Sequence, residues 1–204
     1  MKHRLIALLL SLSVVLSPAA LASQALGWEL YQTDTVLGPG LSVSSQILWG
    51  DSRQDYRREQ YATFTPGQGT QPLVCYSSSV PATATLTSMA KGLEEYGYRV
   101  LAGANGDYFV MASGVPLGLV VSYGVLRSSS SYHYAVGFDA DGNCFVGKPD
   151  LTLTASFHGY DLSVSGGYNK SRDNQNGYFL YSADFGATTR ASGSGSALPL
   201  VISS

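Results

Sequence analysis

Cysteine and histidine are scarce in this chain. Of its 204 residues only Cys75 and Cys144 carry a thiol, and only three are histidine. Zinc centres need clustered Cys or His ligands, so the pair Cys75 and Cys144 argues against one, and no cofactor or metal is expected. A single disulfide between them and two separate buried thiols both fit the sequence. His133 and His158 lie in alternating, strand-like segments and read as ordinary hydrogen-bonded residues. Charge is also sparse, with 13% of residues charged, and there is no excess of Lys and Arg. A general nucleic-acid or anionic-membrane binder would need a basic face, so neither partner is expected. Beyond the first residues, no stretch is long and apolar enough to span a bilayer.

The first 22 residues read as an export signal. Lys2, His3 and Arg4 form a basic start, Leu5 to Leu16 is apolar, and Ala20-Leu21-Ala22 supplies a small-x-small cleavage pattern before Ser23. Removing Lys2 and Arg4 from the 12 basic residues leaves 10 against 14 acidic ones, a net charge of −4. The sequence thus describes a secreted or extracytoplasmic protein, with one domain over residues 23–204. Its abundant Tyr, Ser, Thr and Gly suit extracellular strand-rich proteins and carbohydrate-handling proteins alike.

The mature chain consists mostly of short strands. Trp28 to Tyr31 reads as a short first strand. Leu41 to Trp49 alternates as a half-buried one, with Leu41, Val43, Ser45, Ile47 and Trp49 on one side. Asp51 to Arg58 is the most charged stretch and leads into a partner strand, Gln60 to Thr65. Arg57 and Arg58 suit a solvated edge better than an anion site. Leu73 to Tyr76 reads as an apolar strand carrying Cys75. Leu86, Met89, Ala90, Leu93 and Tyr96 then fall at helical intervals, with Thr85 or Thr87 as cap and Gly97 as terminator. This stripe reads as core packing, and the helix is the one clear helix of the chain.

Further hairpins are expected around Tyr123-Gly124 and between Tyr134–Phe138 and Cys144–Val146. Ser128 to Ser131 reads as a polar connection. Asp139 to Asn143 resembles a calcium loop in composition, but its Gly is misplaced and no Glu closes it. An Asp-Gly hairpin turn accounts for it. Leu151–Phe157 pairs with Asp161–Ser165, Tyr178–Tyr181 is another strand, and Leu198–Ile202 begins one that nothing returns. The fold class is α+β, strand-dominated mixed sheets with one clear helix, and the terminal strand suggests an incomplete domain.

The organising stretch is Arg99 to Leu119, RVLAGANGDYFVMASGVPLGL. Arg99 to Ala104 reads as a strand that stops at Asn105-Gly106, a pair that favours positive φ. Asp107 follows directly. A strand tip of this kind can hold a carboxamide and a carboxylate on a rigid base; a plain hairpin turn with an exposed Asp is the alternative.

Several segments in order carry a family resemblance: LTSMAKGLEEYGYRVLAGANGDYF, SGVPLGLVVSYGVL, YAVGFDADGNCFVGKPDL and YNKSRDNQNGYFLYSADFGATT. Together they resemble the N-terminal part of the phosphodiester glycosidase family, over about residues 77–189. This is the family of N-acetylglucosamine-1-phosphodiester α-N-acetylglucosaminidase (the uncovering enzyme) and of exported bacterial relatives. Its members continue into Arg-Thr, Asp-Gly-Arg and Asp-Gly-Gly-Gly-Ser segments that this sequence lacks, so the chain resembles a truncated member.

The resemblance implies hydrolysis of a sugar 1-phosphodiester in glycan or exopolysaccharide metabolism. The leaving phosphate monoester has a second pKa of about 6 and departs with little protonation. A carboxylate is needed beside the developing oxocarbenium ion, and Arg, Lys or backbone N–H groups beside the phosphate. On this reading Asp107 and Asn105 are the candidate catalytic residues. Gly106, Phe109, Asn169 and Arg172 are the candidate substrate-binding residues, with Arg172 facing the phosphate. The alternative is a non-catalytic exported carbohydrate-binding or cell-surface module.

Overall fold

The computed structural model describes residues 27–50, 54–130, 133–172 and 176–189. The expected export signal and the strand at Leu198–Ile202 lie outside them. The described residues form an α+β, strand-dominated fold of several small sheets and one α-helix. Among them, no helix is long and apolar enough to cross a membrane. The chain divides into two units, residues 1–70 and 71–204.

The first unit is an antiparallel meander of β1 (Trp28–Gly38), β2 (Leu41–Gly50) and β3 (Asp55–Phe64), in that order. β1 runs well past the Trp28–Tyr31 expected, because its alternating polar residues pair with β2 without being buried. The β2–β3 register is continuous from Leu41↔Phe64 to Gly50↔Asp55. Burial in β2 falls on Leu41 and then on Ser44, Leu48 and Gly50, the face opposite to the one its apolar alternation suggested. Ser44 tolerates this position because its hydroxyl donates to Asp34 Oδ1 at 2.5 Å. Arg57 and Arg58 lie on β3, an edge strand, as a solvated border would have them.

The second unit opens with 71–76, which joins no ladder, so the strand expected at Leu73–Tyr76 does not form. Helix α1 spans Leu86–Glu95, and the Thr85 hydroxyl accepts from Ser88 N at 3.1 Å, the capping geometry expected of that residue. Gly97 adopts φ +88° at its end. The helical stripe, however, is not core: α1 contains no buried residue, and Leu86 and Tyr96 are exposed.

After the helix come hairpins β4–β5 (Val120–Ser122, Val125–Ser128), β6–β7 (Ala135–Phe138, Cys144–Gly147) and β8–β9 (Thr154–Phe157, Tyr160–Ser163). Each is antiparallel. His158 occupies the β8–β9 turn at φ +48° rather than a strand. Asp139 closes the β6–β7 turn by accepting from the backbone of Asp141 and Asn143 and from the Asn143 amide. These bonds also hold its carboxyl below the ordinary aspartate value. Its carboxylate therefore serves the turn, and no group of residues suited to a metal ion occurs among the described residues.

β10 (Gly167–Tyr168) and β11 (Phe179–Leu180) form a short parallel pair; β11 lies within the strand expected at Tyr178–Tyr181, whereas β10 and its pairing were not expected from the sequence. The pair joins β5 through Ser129 N to Tyr168 O at 3.0 Å. The polar connection expected from Ser128 is consequently buried at Ser128, Ser129 and Ser130, and Ser128 itself belongs to β5. Val80, Val115, Ser122, Phe185 and Asn169 are also buried in this unit. Gly114, at φ +75°, allows the closest approach: a Cβ there would lie 1.9 Å from the Pro81 carbonyl oxygen. Cys75 and Cys144 are free thiols rather than a disulfide, but they are not the buried pair of the other alternative: Cys75 is half-buried and Cys144 is exposed.

Candidate functional site

The segment 99–108 takes part in no strand ladder, and neither Asn105 nor Gly106 has positive φ. The strand expected at Arg99–Ala104 and the tight turn at its end are thus both absent. The short apolar run Val100-Leu101-Ala102 reports burial tendency, but a ladder also needs a neighbouring chain with free N–H and C=O groups. Asn105 and Gly106 are exposed, and a Cβ on Gly106 would meet open space.

The hydrogen-bonded loop begins at Asp107. Residues 108–118 form a tight loop in which Leu117 N donates to Tyr108 O and Val110 N to Val115 O, both at 2.9 Å, and Phe109 bridges Pro116. This brings Gly118 back to the carboxylate. Asp107 Oδ1 accepts from Tyr108 N at 2.7 Å, and Oδ2 accepts from Gly118 N at 2.5 Å. Gly118 is required here, since a Cβ would stand 2.6 Å from Oδ2. An ionised carboxylate has about four lone-pair sites. Two backbone donors fix its orientation and leave acceptors available to a ligand, and Asp107 itself is exposed.

The second component comes from the Tyr-Asn-Lys-Ser-Arg segment. Lys170 Nζ donates to three successive carbonyls, Pro116 O at 2.6 Å, Leu117 O at 3.2 Å and Gly118 O at 2.9 Å. Burial pushes its pKa down to about 8, while the charge of Asp107 acts in the opposite direction. One peptide unit on, Ser171 Oγ lies 3.4 Å from Ser113 Oγ. The segment carrying Lys170 is therefore stitched along the 113–118 loop that holds Asp107.

Asn169 has a different role from the one expected. It is fully buried, at φ +53°, and its amide donates to Arg127 O at 2.7 Å and Ser182 Oγ at 2.9 Å. Its Oδ1 accepts from Ser182 N at 2.9 Å. With its polar atoms engaged in this way, Asn169 is a structural joint between β5, β10 and the 182–185 turn, not a ligand contact. Arg172 is half-buried and already engaged within the protein. Phe109 is 41% exposed beside the loop.

Lys170 and Gly118 are the site residues that sequence reasoning missed. The acceptors of Lys170 are backbone carbonyls, which no side-chain pattern announces. The one available signal was a lysine inside the same short motif as Arg172.

At the same end of β5 as Asn169, Arg127 Nη1 pairs with Asp184 Oδ2 at 2.6 Å and lies over the Tyr76 ring at 5.6 Å. The Tyr76 hydroxyl reaches Asp184 at 3.4 Å. In the first unit, Arg58 lines a shallow groove of about 470 Å³ with Tyr31, Ser45, Ile47 and Gln60. No family model, curated protein or solved structure matches the chain.

Proposed function

We propose that the chain is a phosphodiester glycosidase-like protein acting on a sugar 1-phosphodiester of the N-acetylglucosamine type. The observation that carries this reading is the convergence of three resemblance-bearing segments on one carboxylate. Asp107 follows the Asn-Gly pair, its restraining N–H comes from Gly118 of the Gly-x-Pro-x-Gly segment, and Lys170 of the Tyr-Asn-Lys-Ser-Arg segment grips the same loop. In the reaction, Asp107 stabilises positive charge at the anomeric carbon or orients the attacking water. Its fixed orientation means that little reorganisation is needed when that charge develops. Asn105 and Phe109 contact the sugar, and Arg172 meets the phosphate side of the linkage.

Incubation of the chain with the methyl phosphodiester of N-acetylglucosamine 1-phosphate, with free sugar as readout, tests the proposal. The chain releases sugar, and Asp107→Asn lowers the rate by at least about 100-fold while the thermal unfolding midpoint stays within a few degrees. Full activity in Asp107→Asn removes Asp107 from the chemistry.

A second reading, a carbohydrate-binding module without catalysis, is favoured by one observation. Asn169, assigned to the substrate by resemblance, is committed to the fold instead. Saturable sugar binding with no release of product would select this reading.

A further inference from the structure

We propose that a tyrosine-lined cleft in the second unit, apart from Asp107, is a subsite for an uncharged saccharide. The cleft, of about 520 Å³, lies between the end of α1 and the β4–β5 turn and is lined by Leu93, Tyr76, Tyr96, Tyr98, Tyr123 and Arg127, among others. That volume is in the range of small-ligand sites, about 300–1,000 Å³. The choice of a saccharide rests on the proposed glycan chemistry of the chain; the site itself rests on the geometry of its tyrosines.

Tyr123 is the telling residue. It occupies the first position of the two-residue Tyr123-Gly124 turn, with φ +52° followed by φ +74°. Asn, Asp or Gly is favoured at such a position, and a bulky aromatic residue is disfavoured. The hairpin would close better without this ring, so local folding does not account for it. Instead the turn places the Tyr123 hydroxyl 3.0 Å from that of Tyr98, pairing two side chains that remain 62% and 46% exposed. Tyr96, 85% exposed, adds a third ring from the helix end.

Charge selects among ligands. Arg127 and Asp184 neutralise each other at 2.6 Å, so the cleft offers no free charge of either sign from this pair. A sugar-phosphate or other polyanion gains nothing there. An uncharged sugar ring presents an apolar C–H face to an aromatic ring and hydroxyls to the tyrosine O–H groups. Tyrosine supplies both kinds of contact at low entropic cost. The subsite would hold a neighbouring stretch of glycan, leaving the charged linkage to the Asp107 region.

The test is calorimetric titration of the chain with three neutral hexasaccharides, of β-1,4-linked N-acetylglucosamine, β-1,4-linked glucose and α-1,4-linked glucose. At least one binds saturably, and Tyr123→Asn weakens that binding by roughly tenfold or more. Asn tolerates positive φ, so this variant folds with an unfolding midpoint equal to or above that of the parent. Asp107→Asn binds the hexasaccharide unchanged. Absence of saturable binding to all three sugars, or equal binding by Tyr123→Asn, overturns the subsite. Absence of phosphodiester hydrolysis by the parent chain, with its saccharide binding intact, overturns the catalytic reading and leaves the subsite standing.

Discussion

Lys170 donates to three successive carbonyls and faces the charge of Asp107, yet burial lowers its pKa from 10.5 to about 8. The unfolded chain therefore binds this proton more tightly than the folded one between those values. Stability from this group rises as pH climbs from about 8 towards 10.5, and is level below 8. The rise amounts to at most about 3 kcal/mol, reduced to the extent that the carbonyl bonds favour the ammonium. Urea unfolding at pH 7 to 10.5 should show it for the parent chain and not for Lys170→Met. Asn169 offers a second measurement. Asn169→Ala leaves buried groups of Arg127 and Ser182 unpaired and puts Ala at positive φ, so it should cost about 2–4 kcal/mol by urea midpoint. Neither role was legible in the sequence, because the deciding partners include main-chain atoms brought in from more than forty positions away. Asp107, by contrast, stood out through its place after Asn-Gly, although the turn expected there is absent.

Elements whose signals are local were readable. Thr85 capping α1, Gly97 ending it, and the turns at Tyr123-Gly124 and Asp141-Gly142 are each decided within a few residues. Thr85→Ala should accordingly lower stability by about 1 kcal/mol, seen as a lower unfolding midpoint with the hairpins unaffected. Elements that depend on distant partners were not readable. β11 falls within the strand read at Tyr178–Tyr181, but its two-residue partner β10 carries no periodicity and neither it nor the pairing could be read. The apolar segment after the helix has the composition of a strand, yet its ladder does not form. The apolar stripe of α1 has the spacing of a core face, yet its side chains stay half or fully exposed.

At the scale of the whole molecule, the α+β class followed from many short alternating segments around one helical period. The division into two units did not, since the Pro66-Gly67 turn looks like any other. The thiols give a test that spans the larger unit. Cys144 is exposed, whereas Cys75 is half-buried with its pKa raised by burial. Under native, non-reducing conditions a maleimide should label both, Cys144 first, and denaturation should add no further thiol.

The three-stranded meander has two unlike margins. β3 presents Asp55, Arg57, Arg58 and Glu59, and Arg57 approaches Asp55 at 3.8 Å. β1 offers eleven residues with two charges, Glu29 and Asp34, against the four of β3. Charged borders discourage a neighbouring strand from docking. Any self-association through this sheet would then join β1 to β1 and stop at two copies, because the guarded borders would face outward on both sides. One-sided protection of this kind would limit any such contact to a pair and oppose growth into a fibre.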